Sequence, residues 1–128
     1  MILLLDTSSP ECRLVLVKDD ARTEYIWQAD RQLADGLLAF LEAKLGGQDE
    51  SLATIQGIGV LKGPGSFTGL RIGLSVLNAM ASDLQIPIVG VIGDAWQDEA
   101  LKRLEHGEDD RIVVPEYGQP ANITKPRK

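Results

Sequence analysis

The 128 residues contain one cysteine, Cys12, and one histidine, His106. One cysteine permits no intrachain disulfide, so the chain must be held by packing alone, as expected in a reducing cytoplasm. One thiol and one imidazole are too few for a zinc site of His and Cys ligands, and no metal is expected. No apolar run reaches the roughly 18 residues that a membrane helix needs. The opening "ILLL" is short, lacks a basic stretch before it and runs straight into Asp6, so it does not read as a signal peptide. Basic residues are also scarce: 13 Lys and Arg stand against 19 Asp and Glu, for a net charge of −6. Such a chain is a poor unaided binder of nucleic acid, because phosphate contacts need clustered cations. The exception is the tail "TKPRK", with Lys125, Arg127 and Lys128. It reads as a solvated terminus.

What is present suits one soluble domain: 44% apolar and 25% charged residues, enough for a core without staples. Residues 2–5, 11–17 and 23–28 read as strands, with a polar turn at 6–10 and a hairpin turn at "KDDAR". Leu33, Leu37, Phe40, Leu41 and Leu45 then follow helical spacing, and Gly46-Gly47 closes a helix over 31–45. A strand over 54–61, a helix over 66–84, a strand over 86–92 and a helix over 94–105 come next. "RIVV" (111–114) is expected as a last short strand, and the end, with Pro115, Pro120 and Pro126, as extended chain. The order βββαβαβα implies an α/β domain with a mixed sheet, antiparallel first and parallel later, covered by helices.

The stretch "LKGPGSFTGLRIG" (61–73) places four glycines and a proline before the second helix. Gly63-Pro64-Gly65-Ser66 has the residues of a type II turn, with Ser66 as helix N-cap. A helix start after such a turn can bind an anion. The spacing nevertheless misses both phosphate fingerprints, since position 68 is Thr where a P-loop has Gly, and Gly69 comes one residue late for G-x-G-x-x-G. On the helix, Leu70, Gly73, Leu74, Leu77, Met80, Ala81 and Leu84 share one broad face, and Ile72, Val76 and Ala79 form another. A helix that only covers a sheet needs one apolar stripe. This one has two, so one face is expected on the sheet and the other on a partner. The partner interface is expected at Leu70, Gly73, Leu74, Leu77 and Met80, with Gly69 allowing close approach.

Asp6-Thr7-Ser8 follows the first strand. Two readings stand side by side: an Asx turn that reverses the chain, or an acidic residue near phosphates, as in actin-like ATPases. With Ser66 and Thr68, these residues make up an alternative weak anion or nucleotide site on Asp6, Thr7, Ser66 and Thr68. Glu108-Asp109-Asp110 reads as a solvated acidic turn. No catalytic set emerges, and no cofactor is expected.

"GPGSFTGLRIG" closely resembles the signature of the TsaB (YeaZ-like) family, the partner subunit in bacterial tRNA threonylcarbamoyladenosine synthesis. "ILLLDTSSPECRLVLV", "RQLADGLLAFLEAKL" and "LQIPIVGV" resemble that family's opening strands, first helix and later strand, so the likeness covers residues 1–95. It implies an actin-like, Hsp70-like (ASKHA) lobe without catalysis of its own. It further implies a scaffold for the paralogous TsaD, which holds the active site, with helices 31–45 and 66–84 as the docking elements. A TsaE-like ATPase, self-pairing and indirect contact with tRNA complete the expectation. Family members carry a second lobe. Here the expected division is one lobe over 1–106 and a short strand with an extended tail over 107–128, the second lobe being absent. The closing "VPEYGQPANITKPRK" resembles the family's C-terminal end.

Overall fold

The structure is a computed structural model, and it describes residues 1–117. The basic tail with Lys125, Arg127 and Lys128, together with Pro120 and Pro126, lies outside the described residues. Five strands make one sheet: β1 (Ile2–Asp6), β2 (Glu11–Lys18), β3 (Ala21–Gln28), β4 (Gly57–Gly63) and β5 (Ile88–Ile92). Their order is β3-β2-β1-β4-β5. β1, β2 and β3 pair antiparallel, while β1–β4 and β4–β5 pair parallel. This is the mixed sheet expected from the order of elements.

Three helices cover it: α1 (Leu33–Gly46), α2 (Phe67–Leu84) and α3 (Trp96–Glu105). α1 and α2 share one side, over Leu3, Leu5, Leu14, Leu16, Ile58 and Val60. α3 covers the other side, where Trp96 and Ala100 meet Leu4, Val15, Leu61, Val89 and Val91. The strands with both faces buried therefore read as continuous apolar runs, as in "ILLL" and "IVGV". A 14-residue helix such as α1 is marginal alone. It forms here because Leu33, Leu37, Leu41 and Leu45, spaced by four, bury one stripe on the sheet. Each such leucine contributes roughly 1.5–3 kcal/mol.

Two boundaries differ from the sequence reading. The strand expected over 54–61 runs Gly57–Gly63, and a 3-10 turn, Leu52–Thr54, precedes it, closed by a capping box between Ser51 and Thr54. Residues 111–114 form no strand. The backbone of Val113 instead pairs with a side chain: Asn78 donates to its carbonyl at 2.8 Å and accepts from its N–H at 2.9 Å. Val113 itself fills the space that Gly90 leaves open on β5, where a Cβ would come within 2.4 Å of it. The segment then continues to Glu116, whose N–H donates to the Lys62 carbonyl.

The acidic turn is also more than a solvated bend. Asp110 accepts from the Gly90 N–H at 2.8 Å, and Asp109 accepts from the Ile88 N–H at 3.1 Å. Arg103 of α3 donates to the Gly90 carbonyl and to Asp110. The outer edge of β5 is thus closed by side chains, which blocks pairing with another strand.

Candidate functional site

Two loops meet at the C-terminal end of β1 and β4. The first carries Asp6-Thr7-Ser8, and the second is Gly63-Pro64-Gly65-Ser66. Asp6 Oδ1 accepts from the Ser8 N–H at 2.8 Å and from the Ser8 hydroxyl at 2.6 Å. That is the Asx turn of the sequence reading. Thr7 is buried, and its hydroxyl donates to the Gly69 carbonyl at 2.8 Å. The Ser66 N–H donates to the Ser8 carbonyl at 2.7 Å, and Ser66 Oγ accepts from the Gly69 N–H as the N-cap of α2. Thr68 is exposed on the first turn. Asp6 is therefore engaged within its own loop, while the Thr7 hydroxyl and the Ser66 N–H tie the two segments together.

The second loop is not the expected type II turn. The positive φ, +146°, falls at Gly63 and not at Gly65, and the Gly63–Pro64 peptide is cis. Its shape is set from both sides: the Glu116 carbonyl lies against Gly63, and Ser8 lies against Gly65. A local turn signature could not register either neighbour.

The residues expected at a partner interface lie elsewhere than expected. Gly69, Leu70, Gly73, Leu74, Leu77 and Met80 are all buried on the inner face of α2, against the chain's own core and first loop. The glycines make room for Thr7 rather than for another protein. A Cβ on Gly69 would stand 2.3 Å from the Thr7 carbonyl, and one on Gly73 would stand 2.2 Å from its hydroxyl. A partner could touch these six only by opening the core. The physical reason is that the sheet takes the broader stripe, which has the leucines, and leaves the narrower one outside.

That outer side carries Phe67, Arg71, Ile72, Ser75, Val76 and Ala79. Ile72 and Val76 are half-buried, and Phe67 is 56% exposed. Phe67 stacks on Tyr117 with ring centroids 4.7 Å apart, and the Arg71 guanidinium lies 5.1 Å from its ring. On α1, in the same layer, Leu38 is 45% exposed. Between the starts of the two helices lies an open cavity of about 610 Å³, lined by Pro10, Arg31, Leu33, Thr68 and Ile72 among others.

The chemistry at hand is sparse. Burial, with a smaller contribution from Asp6, pushes the Cys12 thiol up to about 12, so it stays protonated and is no nucleophile. Among the described residues no group of three or more His, Cys, Asp or Glu is placed to hold a metal ion. Among them, too, no helix is long and apolar enough to cross a membrane.

Known proteins resemble this arrangement. The tRNA threonylcarbamoyladenosine biosynthesis protein TsaB of Escherichia coli is 30% identical over 117 residues, covering 87% of this chain and 51% of the relative. TsaB of Bacillus subtilis is 33% identical over 91 residues, covering 70% and 40%. Among solved structures, YeaZ from Pseudomonas aeruginosa superposes with a TM-score of 0.69 at 29% identity, covering 83% of this chain and 49% of that one. The family model for TsaD, tRNA N6-adenosine threonylcarbamoyltransferase, matches residues 27–93.

The chain belongs to the TsaB/YeaZ family.

Its sheet and helices are accordingly an actin-like, RNase H-like lobe. The chain spans about half the length of the curated TsaB relatives it matches. The stretch matched by the transferase model includes α1, β4, α2 and β5, so the TsaB-like lobe and the transferase share their helical layer. Sequence reasoning found both stripes of α2 but reversed which one faces out. It missed the seat of Thr7 and the pairing of Asn78 with Val113. The signal for the first was there, in glycines at 65, 69 and 73 spaced by four. The second depends on a contact 35 residues apart and left no local trace.

Proposed function

We propose that this chain is a non-catalytic subunit in the making of threonylcarbamoyladenosine in tRNA. It docks on a TsaD-like transferase through the outer side of α1 and α2. One observation carries the reading: in a TsaB-family lobe, α2 keeps a second apolar stripe, with Phe67 and Ala79 exposed and Ile72 and Val76 half-buried at the edge of the core. Surplus apolar surface beside a cavity suits a protein partner. The buried six, from Gly69 to Met80, serve that face by holding it from below. The non-catalytic part is supported by the Asp6 and Ser66 loops, where Asp6 Oδ1 is used on Ser8, Ser66 Oγ on the start of α2 and the Thr7 hydroxyl on the Gly69 carbonyl. A TsaE-like ATPase joining the complex, and self-pairing through the same face, belong to this proposal. So do action in the cytoplasm and contact with tRNA only through the complex or the basic tail.

The test is titration calorimetry of the purified chain against the cognate transferase. Binding is expected, and Val76→Asp is expected to abolish it while the protein stays folded. Intact binding in that variant would move the docking face elsewhere. The same instrument with ATP and ADP addresses catalysis: micromolar affinity lost in Asp6→Ala would replace the scaffold with a nucleotide-binding remnant.

A further inference from the structure

Thr7 is the one buried polar side chain of the core among the described residues, 1% exposed. Its hydroxyl donates to the Gly69 carbonyl at 2.8 Å. That carbonyl lies within α2, where the helix's own N–H four residues on is its regular partner. Thr7 therefore adds a second bond to an acceptor with two lone pairs. The seat around it is made by missing side chains. A Cβ on Gly73 would lie 2.2 Å from Thr7 Oγ1 and 3.0 Å from Thr7 Cγ2, and one on Gly69 would lie 2.3 Å from the Thr7 carbonyl. One residue along, a Cβ on Gly65 would lie 2.4 Å from Ser8 Cβ.

The rest of the contact between α2 and the sheet is leucine, valine, isoleucine and methionine. Hydrophobic contact is non-directional and does not by itself fix how far a helix is rotated or slid. A buried hydrogen bond has direction, and a seat without room for one methyl has position. We infer that Thr7 is a positioning residue. Locked between Gly69 and Gly73, it sets the height and rotation of α2. It thereby sets where Phe67, Ile72 and Val76 stand in the docking face. This rests on the docking proposed above.

Two variants of the whole chain separate position from stability. Thr7→Val keeps the shape and removes the hydroxyl. Thr7→Ser keeps the hydroxyl and removes a buried methyl. Transferase affinity is measured by calorimetry, stability by thermal unfolding, and the pose of α2 by the NMR methyl signals of Ile72 and Val76. Thr7→Val is expected to bind about tenfold more weakly, with those signals shifted. Thr7→Ser is expected within about threefold of wild type, with unshifted signals, although it unfolds at the lower temperature of the two. A purely structural role reverses the order, with affinity following stability. That reversal, or unchanged affinity and signals in Thr7→Val, overturns the inference. If the wild-type chain does not bind the transferase at all, the docking proposal falls and the methyl signals judge the lock alone. Shifts in the Val variant but not in the Ser variant keep it, and no shift overturns it.

Discussion

α2 has two apolar sides with different fates. The inner side, Leu70, Gly73, Leu74, Leu77, Met80 and Ala81, is buried against the sheet and the first loop. The outer side, Phe67, Ile72, Val76 and Ala79, is half-buried or exposed. Both consist of aliphatic and small residues, with the leucines on the inner side and the one aromatic, Phe67, on the outer. They differ also in which one the glycines accompany. Gly69 and Gly73 stand on the inner side, and a helix can approach a loop as closely as α2 approaches Thr7 only where Cβ atoms are absent. A glycine pair on an amphipathic helix therefore marks the face with the nearest backbone. Here that backbone is the chain's own.

The contrast is broken most sharply by the same substitution on each side. Leu77 is fully buried. Leu77→Asp removes its packing and buries a carboxylate with no partner, a loss of about 4 kcal/mol or more. Since whole domains have only about 5–15 kcal/mol, thermal unfolding should show little native protein at 37 °C. Val76, one residue away, is half-buried at the edge of the core, and Val76→Asp should cost only about 1–2 kcal/mol, leave the protein folded and yet remove transferase binding. Equal damage from the two would erase the difference between the sides. Leu77→Asp is consequently no probe of docking, because a lost interaction would only report a lost fold.

Gly73→Ala comes next. Its methyl would stand 2.2 Å from Thr7 Oγ1, so the first loop or the helix must move, at about 1–3 kcal/mol. Adding Thr7→Ala removes the blocking hydroxyl and should recover part of the loss in denaturant melts. An additive double variant would mean that the two positions are not in contact. Asn78 lies at the border of the two sides. Asn78→Ala leaves both polar groups of Val113 without their partner and should cost about 1–3 kcal/mol. Hydrogen exchange at the Val113 amide should rise well beyond that of β5. Unchanged protection would show that Val113 is held by burial alone.

Much of this was legible in the sequence. The order of elements along the chain, the helix positions and the mixed sheet follow from periodicities of two and 3.6 and from turn residues, all local signals. The signature around residues 63–73 carried the family. Three features were not local. The role of Gly69 and Gly73 on α2 depends on Thr7, far earlier in the chain. The shape of the Gly63 loop depends on Ser8 and Glu116, one on either side. The absence of a strand at 111–114 depends on Asn78, since "RIVV" has full strand propensity but its backbone bonds are taken by a side chain. The two loops at Asp6 and Ser66 were found as candidates, but the bonds that join them, from the Thr7 hydroxyl to Gly69 and from the Ser66 N–H to Ser8, link distant segments.

The smallest predicted effect lies farthest from α2, at the edge of β5. Burial pushes the Asp110 carboxyl up, but hydrogen bonds from Arg103 and the Gly90 amide outweigh it and hold the group below the usual carboxylate range. A carboxyl with a lower pKa folded than unfolded adds stability above its unfolded value, about 3.9, and loses it as pH falls through the folded value. Asp110→Asn should therefore melt slightly below wild type at pH 7. The pair is partly exposed, so the difference should stay under about 1 kcal/mol. It should shrink as the pH drops below about 4, where the wild-type carboxyl also takes up its proton. Thermal melts of both proteins across that range read the sign directly. Equal melting at pH 7 would mean that the edge of β5 is held by Arg103 on the Gly90 carbonyl and by Asp109, with the Asp110 carboxylate a bystander. α2 should be indifferent to the change, and transferase affinity at pH 7 should match wild type, because the edge strand and the docking side lie in separate parts of the lobe.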